Sequence, residues 1–234
     1  MGQIVLPPRL AAIADLVPDG ARLADVGTDH ALLPISLLLS GRIVSAVAAD
    51  IRPGPLSRAE SNAKACGVKN IRFELCDGLD RVSSEDADTV VIAGMGGENI
   101  AGILERAPWA RDESLLLLQP MSRPEELRRA LCSMNIEILS EKLVEDNGRI
   151  YSVICARGGI PADFTPAELY IGRFEQIAGE PLFLPYLSSL EQKLDAALKG
   201  LSRSDRPSDA DRFAVLKAVR EELSQMRCRY ADGF

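Results

Sequence analysis

The sequence predicts an α/β fold: a doubly wound, mostly parallel seven-stranded sheet ending in an antiparallel hairpin, followed by a C-terminal α-helical domain with an antiparallel coiled-coil arm. Three observations carry this reading. From residue 21, short β-rich apolar runs alternate with segments that suit helices. The alternation stops at "NIEILSEKLVEDNGRIYSVICARGG", where two extended runs flank Asn147-Gly148. Beyond Gly158-Gly159 the apolar residues recur at helical spacing.

Taken in order, the strand-like runs are "RLADVG", "IVSAVAADI", "IRFELCDG", "TVVIAGMG" and "SLLLLQPM". They are nearly continuous in apolar residues, as strands of a parallel sheet covered on both faces must be. The segments between them, 31–40, 54–66, 98–107 and 124–134, are expected helices, which makes the unit a series of βαβ crossovers. Asn-Gly between two extended runs is a strong hairpin signal, because both residues tolerate the positive φ of a tight turn. In the tail, Thr165 with Glu168 forms a capping box around Pro166 at the first helical position. Leu187, Leu190, Leu194, Ala197 and Leu201 then form one seam, and Leu216, Val219, Leu223, Met226 and Tyr230 a second, across the polar turn "SRSDRPSDAD". Matching seams over a short connection predict two antiparallel helices, either an exposed arm or a flap on the main domain. The expected domains are residues 1–158 and 159–234.

Composition narrows the classes. Apolar and charged fractions of 47% and 26% are those of a globular protein. No apolar run approaches the roughly 18 residues of a membrane span, and "MGQIVLPPRL" lacks the pattern of a signal peptide, so a cytoplasmic protein is expected. The five cysteines are scattered without a C-x-x-C and stand beside one histidine, so neither a disulfide framework nor a metal site is expected. The net charge is −7, with 17 Lys/Arg against 22 Asp/Glu in residues 1–158 and 10 against 12 in residues 159–234. Neither part is a basic block, which argues against indiscriminate binding to nucleic acid.

The chemistry-bearing residues gather at predicted strand ends. Asp25 and Gly27 close the first strand, Asp50 the second, Asp77-Gly78 the third and Ala93-Gly94 the fourth. In open α/β sheets a ligand sits beyond the carboxyl ends of the strands. An acid about 25 residues after the first turn grips ribose hydroxyls in such folds. Each acid alone suits an ordinary turn. Three at successive strand ends favour S-adenosylmethionine, whose ammonium and sulfonium are cationic, over a pyrophosphate, which prefers a glycine-lined helix N-terminus. The glycine fingerprint of a dehydrogenase is missing: Thr28, Asp29 and His30 follow Gly27. A parallel sheet closed by a hairpin also resembles the Rossmann-like class I S-adenosylmethionine-dependent methyltransferases.

Asp29 and His30 carry two readings. Asp29 caps the following helix and His30 is satisfied by backbone, or both serve catalysis beside the transferred methyl. Likewise "GMGG", Gly94 to Gly97, is either a simple βα turn or a backbone surface for a base, with Met95 as its apolar face.

These pieces together resemble one family, the bacterial tRNA methyltransferases acting on N1 of adenine 22, known as TrmK. The shared features are Arg9-Leu10, "LADVGTDHALLP", the Gly94–Gly97 run, Leu118-Gln119-Pro120, the late Glu141, Gly148 and Tyr151, and "PLFLPYL" before the arm. Family members often have tyrosine at Leu32 and glutamate at Asp50. The resemblance implies methyl transfer from S-adenosylmethionine to an unpaired or flipped adenine. It places Asp29 and His30 as catalytic candidates, and Met95, Gly96 and Gly97 at the base. Arg9, Arg123, Lys217, Arg220, Arg227 and Arg229 are the candidate tRNA contacts, on a protein expected to be a monomer. Two other classes stay open: a methyltransferase of small molecules or proteins, which needs no basic arm, and a non-catalytic RNA- or partner-binding module.

Overall fold

The computed structural model describes residues 4–203 and 206–233; residues 1–3 of the opening stretch and Ser204 and Asp205 of the predicted polar turn lie outside the described residues. The chain divides into two compact units, Met1–Ala162 and Asp163–Phe234. The Gly158-Gly159 pair belongs to the first. Gly158, the last residue of the final strand, presses against the backbone carbonyls of Arg111 and Asp112, and the Gly159 N–H donates to the Asn135 carbonyl, so both glycines are held by the first unit.

The first unit opens with helix α1 (Pro8–Leu16), then runs β1 (Ala21–Val26), α2 (Leu32–Leu39), β2 (Ile43–Asp50), α3 (Pro53–Ala65) and β3 (Ile71–Leu75). It continues with β4 (Thr89–Gly96), α4 (Gly97–Arg106), the short α5 (Pro108–Asp112), β5 (Leu115–Ser122), α6 (Pro124–Ser133), β6 (Ile136–Asp146) and β7 (Arg149–Gly158). Among the described residues these strands form one seven-stranded sheet in the order β3-β2-β1-β4-β5-β7-β6. Strands β1 to β5 pair in parallel, and β7 pairs antiparallel with both β5 and β6. The predicted parallel sheet with a closing hairpin is therefore present. The turn at Asn147 and Gly148, with φ of 51° and 71°, has the double left-handed geometry that Asn-Gly favours.

Burial explains the apolar strands. Val90, Val91 and Ile92, and likewise Leu116, Leu117 and Leu118, are consecutive and all fully buried, so helices cover both sheet faces. Ile13 and Val17 of the α1 region join Leu33, Leu37, Leu23 and Val91 in one cluster, while Ala59 and Ala63 of α3 pack with Ile35 and Ala48. Between β6, β7 and α6, Arg128 and Glu141 are both wholly buried and make a two-pronged pair at 2.9 and 2.6 Å. Glu141 thus anchors the hairpin from inside.

Helices α4 and α6 meet at Gly97. A Cβ on this buried residue would run into the Arg123 carbonyl and come within 3.1 Å of Leu127 Cβ. Backbone cannot rotate away, so Gly97→Ala is expected to lower unfolding free energy by about 1–3 kcal/mol, measured by denaturant titration.

The second unit holds α7 (Pro166–Ile171), α8 (Phe174–Ile177), α9 (Phe183–Leu201) and α10 (Pro207–Ala231). The predicted capping box is formed: Thr165 accepts from the Glu168 N–H while Glu168 accepts from the Thr165 N–H. Helices α9 and α10 bury Leu187, Leu190 and Leu194 with Leu216, Val219, Leu223 and Met226, most of the two predicted seams, while Ala197, Leu201 and Tyr230 at the seam ends are partly buried. Glu191 is buried beside the seam and takes Arg220 at 3.0 Å together with Arg227. No helix among the described residues is long and apolar enough to cross a membrane.

Candidate active site

Strand order reverses between β1 and β4: β2 and β3 build outward from β1, and β5 from β4. Crossover connections leave a crevice at the carboxyl ends of such neighbours. Here it is a cavity of about 740 Å³. Asp25, Gly27, Asp50, Asp77, Gly78, Ala93 and Gly94 all line it, as do Asp29, His30, Met95 and Arg9. A volume of that size lies in the range for small-molecule and cofactor sites.

Asp25 sits at its floor, 7% exposed, and accepts a 2.5 Å hydrogen bond from the Thr28 hydroxyl. Burial pushes its carboxyl up to about 6; the Thr28 hydroxyl pulls the other way and the neighbouring Asp50 charge adds to the rise. A buried carboxylate of this kind suits a cationic ligand. Asp50, also buried, accepts from the Arg52 N–H at 2.8 Å. Asp77 is half exposed and its carboxylate lies 3.0 Å from the Arg106 guanidinium. Across the cavity Met95 covers Gly27, where φ is +74° and a Cβ would strike the Met95 methyl. Gly27 therefore serves both the left-handed turn and the close approach of β4.

The turn after Gly27 is unusual. His30 and Ala31 are consecutive non-glycine residues in the left-handed region, with φ of 65° and 51°. Such a conformation costs of order 1–2 kcal/mol per residue. The Asn62 amide, reaching from α3, donates to the His30 carbonyl at 3.0 Å and helps to hold it. Helix α2 begins with Ala31 as its cap and without a side-chain capping bond. The capping reading of Asp29 is therefore corrected: its carboxylate instead lies 3.3 Å from the His30 imidazole, both side chains open to the cavity mouth.

The other sequence candidates lie elsewhere. Gly96 approaches the Ser122 hydroxyl and Gly97 packs on α6; neither lines the cavity. Arg123, half exposed, lies 3.3 Å from each of Glu98, Glu125 and Glu126. In the second unit Arg220 and Arg227 are paired with Glu191, and Arg220 with Asp195 as well. Arg229 stacks over Phe174, and Lys217 faces Glu221 at 3.8 Å. Arg52, Asn99 and Arg106 line the cavity without having been singled out. The two arginines are ordinary helix-end residues in sequence, and only the fold brings them to the acids. Among the described residues no group of three or more His, Cys, Asp or Glu is placed to hold a metal.

Residues 6–154 match a family model described as a methyltransferase domain. The chain is 34% identical over 161 residues to the tRNA (adenine(22)-N(1))-methyltransferase of Bacillus subtilis, covering 68% of each chain. The crystal structure of the B. subtilis m1A22 tRNA methyltransferase TrmK superposes with a TM-score of 0.84 at 27% identity, over 95% of this chain and 99% of that one. A Streptococcus pneumoniae structure, titled a putative tRNA (m1A22) methyltransferase in complex with S-adenosyl-L-methionine, gives 0.77 at 31% identity over 91% and 98%.

Proposed function

Because the chain belongs to the methyltransferase-domain family, and within it to the family of the B. subtilis tRNA (adenine(22)-N(1))-methyltransferase, we propose that it methylates N1 of adenine 22 in tRNA using S-adenosylmethionine. The observation that carries this is the convergence of Asp25, Asp50 and Asp77 on one cavity that also contains Gly27, Gly94 and Met95. The donor set fits the cofactor. A buried carboxylate pushed up to about 6 by desolvation suits an ammonium and a sulfonium, and the turn after β1 leads into α2 without the glycines that a pyrophosphate prefers.

We assign Asp25 to the cationic amino-acid end of the cofactor, Asp50 to its ribose hydroxyls, and Asp77 with Gly78 to its adenine. Ala93 and Gly94 close the site from β4. Bound there, the cofactor supplies an electrophilic methyl group to the N1 lone pair. Methylation at N1 leaves the base positively charged. Asp29, at the mouth and on the side of α2, is the carboxylate that stabilises this growing charge. His30, 3.3 Å away, orients Asp29. N1 lies on the pairing edge, so the base enters unpaired or flipped. Met95 offers it an apolar surface.

Of the arm cations, Lys217 and Arg229 are more than half exposed and are assigned to phosphates. Arg220 and Arg227 fix the register of α9 against α10. A tRNA substrate suits a cytoplasmic enzyme, and the reading takes the protein to act as a monomer.

The test is methyl incorporation from labelled S-adenosylmethionine into an unmodified tRNA transcript and into the same transcript with guanine at position 22. Label in the first alone supports the reading. Equal label in both, or label only in proteins or small molecules, overturns it.

A further inference from the structure

Strand β4 is interrupted where the site needs it. Ala93 pairs with Gln119 and Met95 with Pro120, so Gly94 is an extra residue in a β-bulge against β5. Its φ is +79°. A bulge leaves the extra residue outside the ladder and re-aims the chain, and bulges recur beside active sites. Here the Gly94 N–H is caught by a side chain: it donates to Gln119 Oε1 at 3.2 Å.

Gln119 is wholly buried and held at both ends. Its amide Nε2 donates to the Pro120 carbonyl at 2.9 Å, and Arg9 Nη1 donates to the same Oε1 at 2.8 Å. Arg9 in turn is fixed on three sides. Its Nε donates to the buried Asp146 at 2.5 Å, and its guanidinium lies 5.7 Å from the Tyr151 ring centroid. Asp146 receives the Asn147 amide on its other oxygen at 3.2 Å. A single residue of α1 thus ties the tip of the closing hairpin to the side chain that holds the bulge.

We propose that Arg9 is a positioning residue of the methyl-transfer site, acting through Gln119 on the backbone of Gly94 rather than on the phosphates of the substrate. The proposal rests on the methyltransferase reading above. Two nitrogens of the guanidinium are committed to Gln119 and Asp146, and Arg9 is only 21% exposed, a poor arrangement for a phosphate contact. A charged donor on Oε1 also keeps the Gln119 amide from flipping, since a flipped amide would set its NH₂ against both the Gly94 N–H and Arg9. It follows that the bulge has one orientation, and with it Met95 and the wall of the cavity.

The experiment compares Arg9→Gln, Gln119→Leu, Gln119→Glu and the double variant Arg9→Gln/Gln119→Leu with the unaltered full-length protein, each first shown to bind S-adenosylmethionine by calorimetry. Displacement of a reacting wall by about 1 Å costs about 10²-fold in rate. Arg9→Gln and Gln119→Leu are each expected to lower kcat about 10²-fold with KM for tRNA within about twofold. Gln119→Glu, which still accepts from both donors, is expected to recover at least about tenfold of that loss. The double variant is expected to be no slower than the slower single one, because both act on one element. The slope of log Kd for tRNA against log salt should be unchanged in Arg9→Gln. A slope reduced by about one, with KM raised and kcat intact, would make Arg9 a phosphate contact and overturn the proposal. Losses that multiply in the double variant would overturn it as well. Failure of the unaltered protein to methylate tRNA would instead remove the reading beneath it.

Discussion

Replacing Asp25 with asparagine is expected to weaken S-adenosylmethionine binding by roughly 30-fold or more while stabilising the free protein. The loss follows from removing the charged partner of a buried ion pair, worth about 2 kcal/mol or more. The gain follows from the raised carboxyl. Its value moves from 3.8 to about 6 because burial disfavours the charged form. Between about pH 4 and pH 6 the folded state therefore holds a proton that the unfolded chain has released. The contribution of this group to stability is fully present below the lower value and is lost as pH rises through about 6. At pH 7 an ionised Asp25 costs up to about 3 kcal/mol, which an asparagine does not. Asparagine still accepts from Thr28, so the fold keeps its hydrogen bond. Calorimetric titration with cofactor and urea unfolding at pH 5 and pH 7 check both halves. Cofactor affinity should also fall below about pH 6 in the unaltered protein and stay flat in Asp25→Asn. Equal affinity in the two proteins would remove Asp25 from the cofactor site.

Asp29→Ala should behave in the opposite way. Asp29 lies at the mouth, two-thirds exposed, so cofactor affinity and stability should change little. Its work is electrostatic and is done only as the base becomes cationic, so single-turnover methylation is expected to slow by about 10²–10³-fold. Asp29→Asn should recover little, since charge and not shape is required. An intact single-turnover rate would assign the stabilising role elsewhere. His30→Ala, which removes only the group that orients Asp29, should cost less than Asp29→Ala.

Much of this was legible in the residues. The strand runs are apolar because both sheet faces are covered, and each of the four predicted helices between them ends within one residue of its observed bounds. Asn147-Gly148 and the Thr165–Glu168 box are local signals, and local geometry honoured them. The acids at strand ends converge because parallel topology leaves them no other place. What stayed hidden depends on partners far along the chain. Helix α1 is too short and its apolar pattern too slight to stand out, yet Arg9 on it meets Gln119 and Asp146. In the left-handed pair His30-Ala31, histidine is one of the residues that tolerate such a conformation, but nothing in an alanine advertises it. Arg220 and Arg227 read as surface charge, because nothing local shows that Glu191, beside the seam, is buried and accepts both. Gly97, in a run that looks like a base-binding loop, is fixed by the approach of α6.

The central claim, methyl transfer to N1 of adenine 22, is tested most directly by mapping the product. Unmodified bulk tRNA is incubated with the full-length protein and methyl-labelled S-adenosylmethionine, then digested with nuclease and sequenced by mass spectrometry. The account predicts 1-methyladenine at position 22 and at no other adenine. A methyl group on another atom or position, or none in RNA from a protein that binds the cofactor, would contradict it.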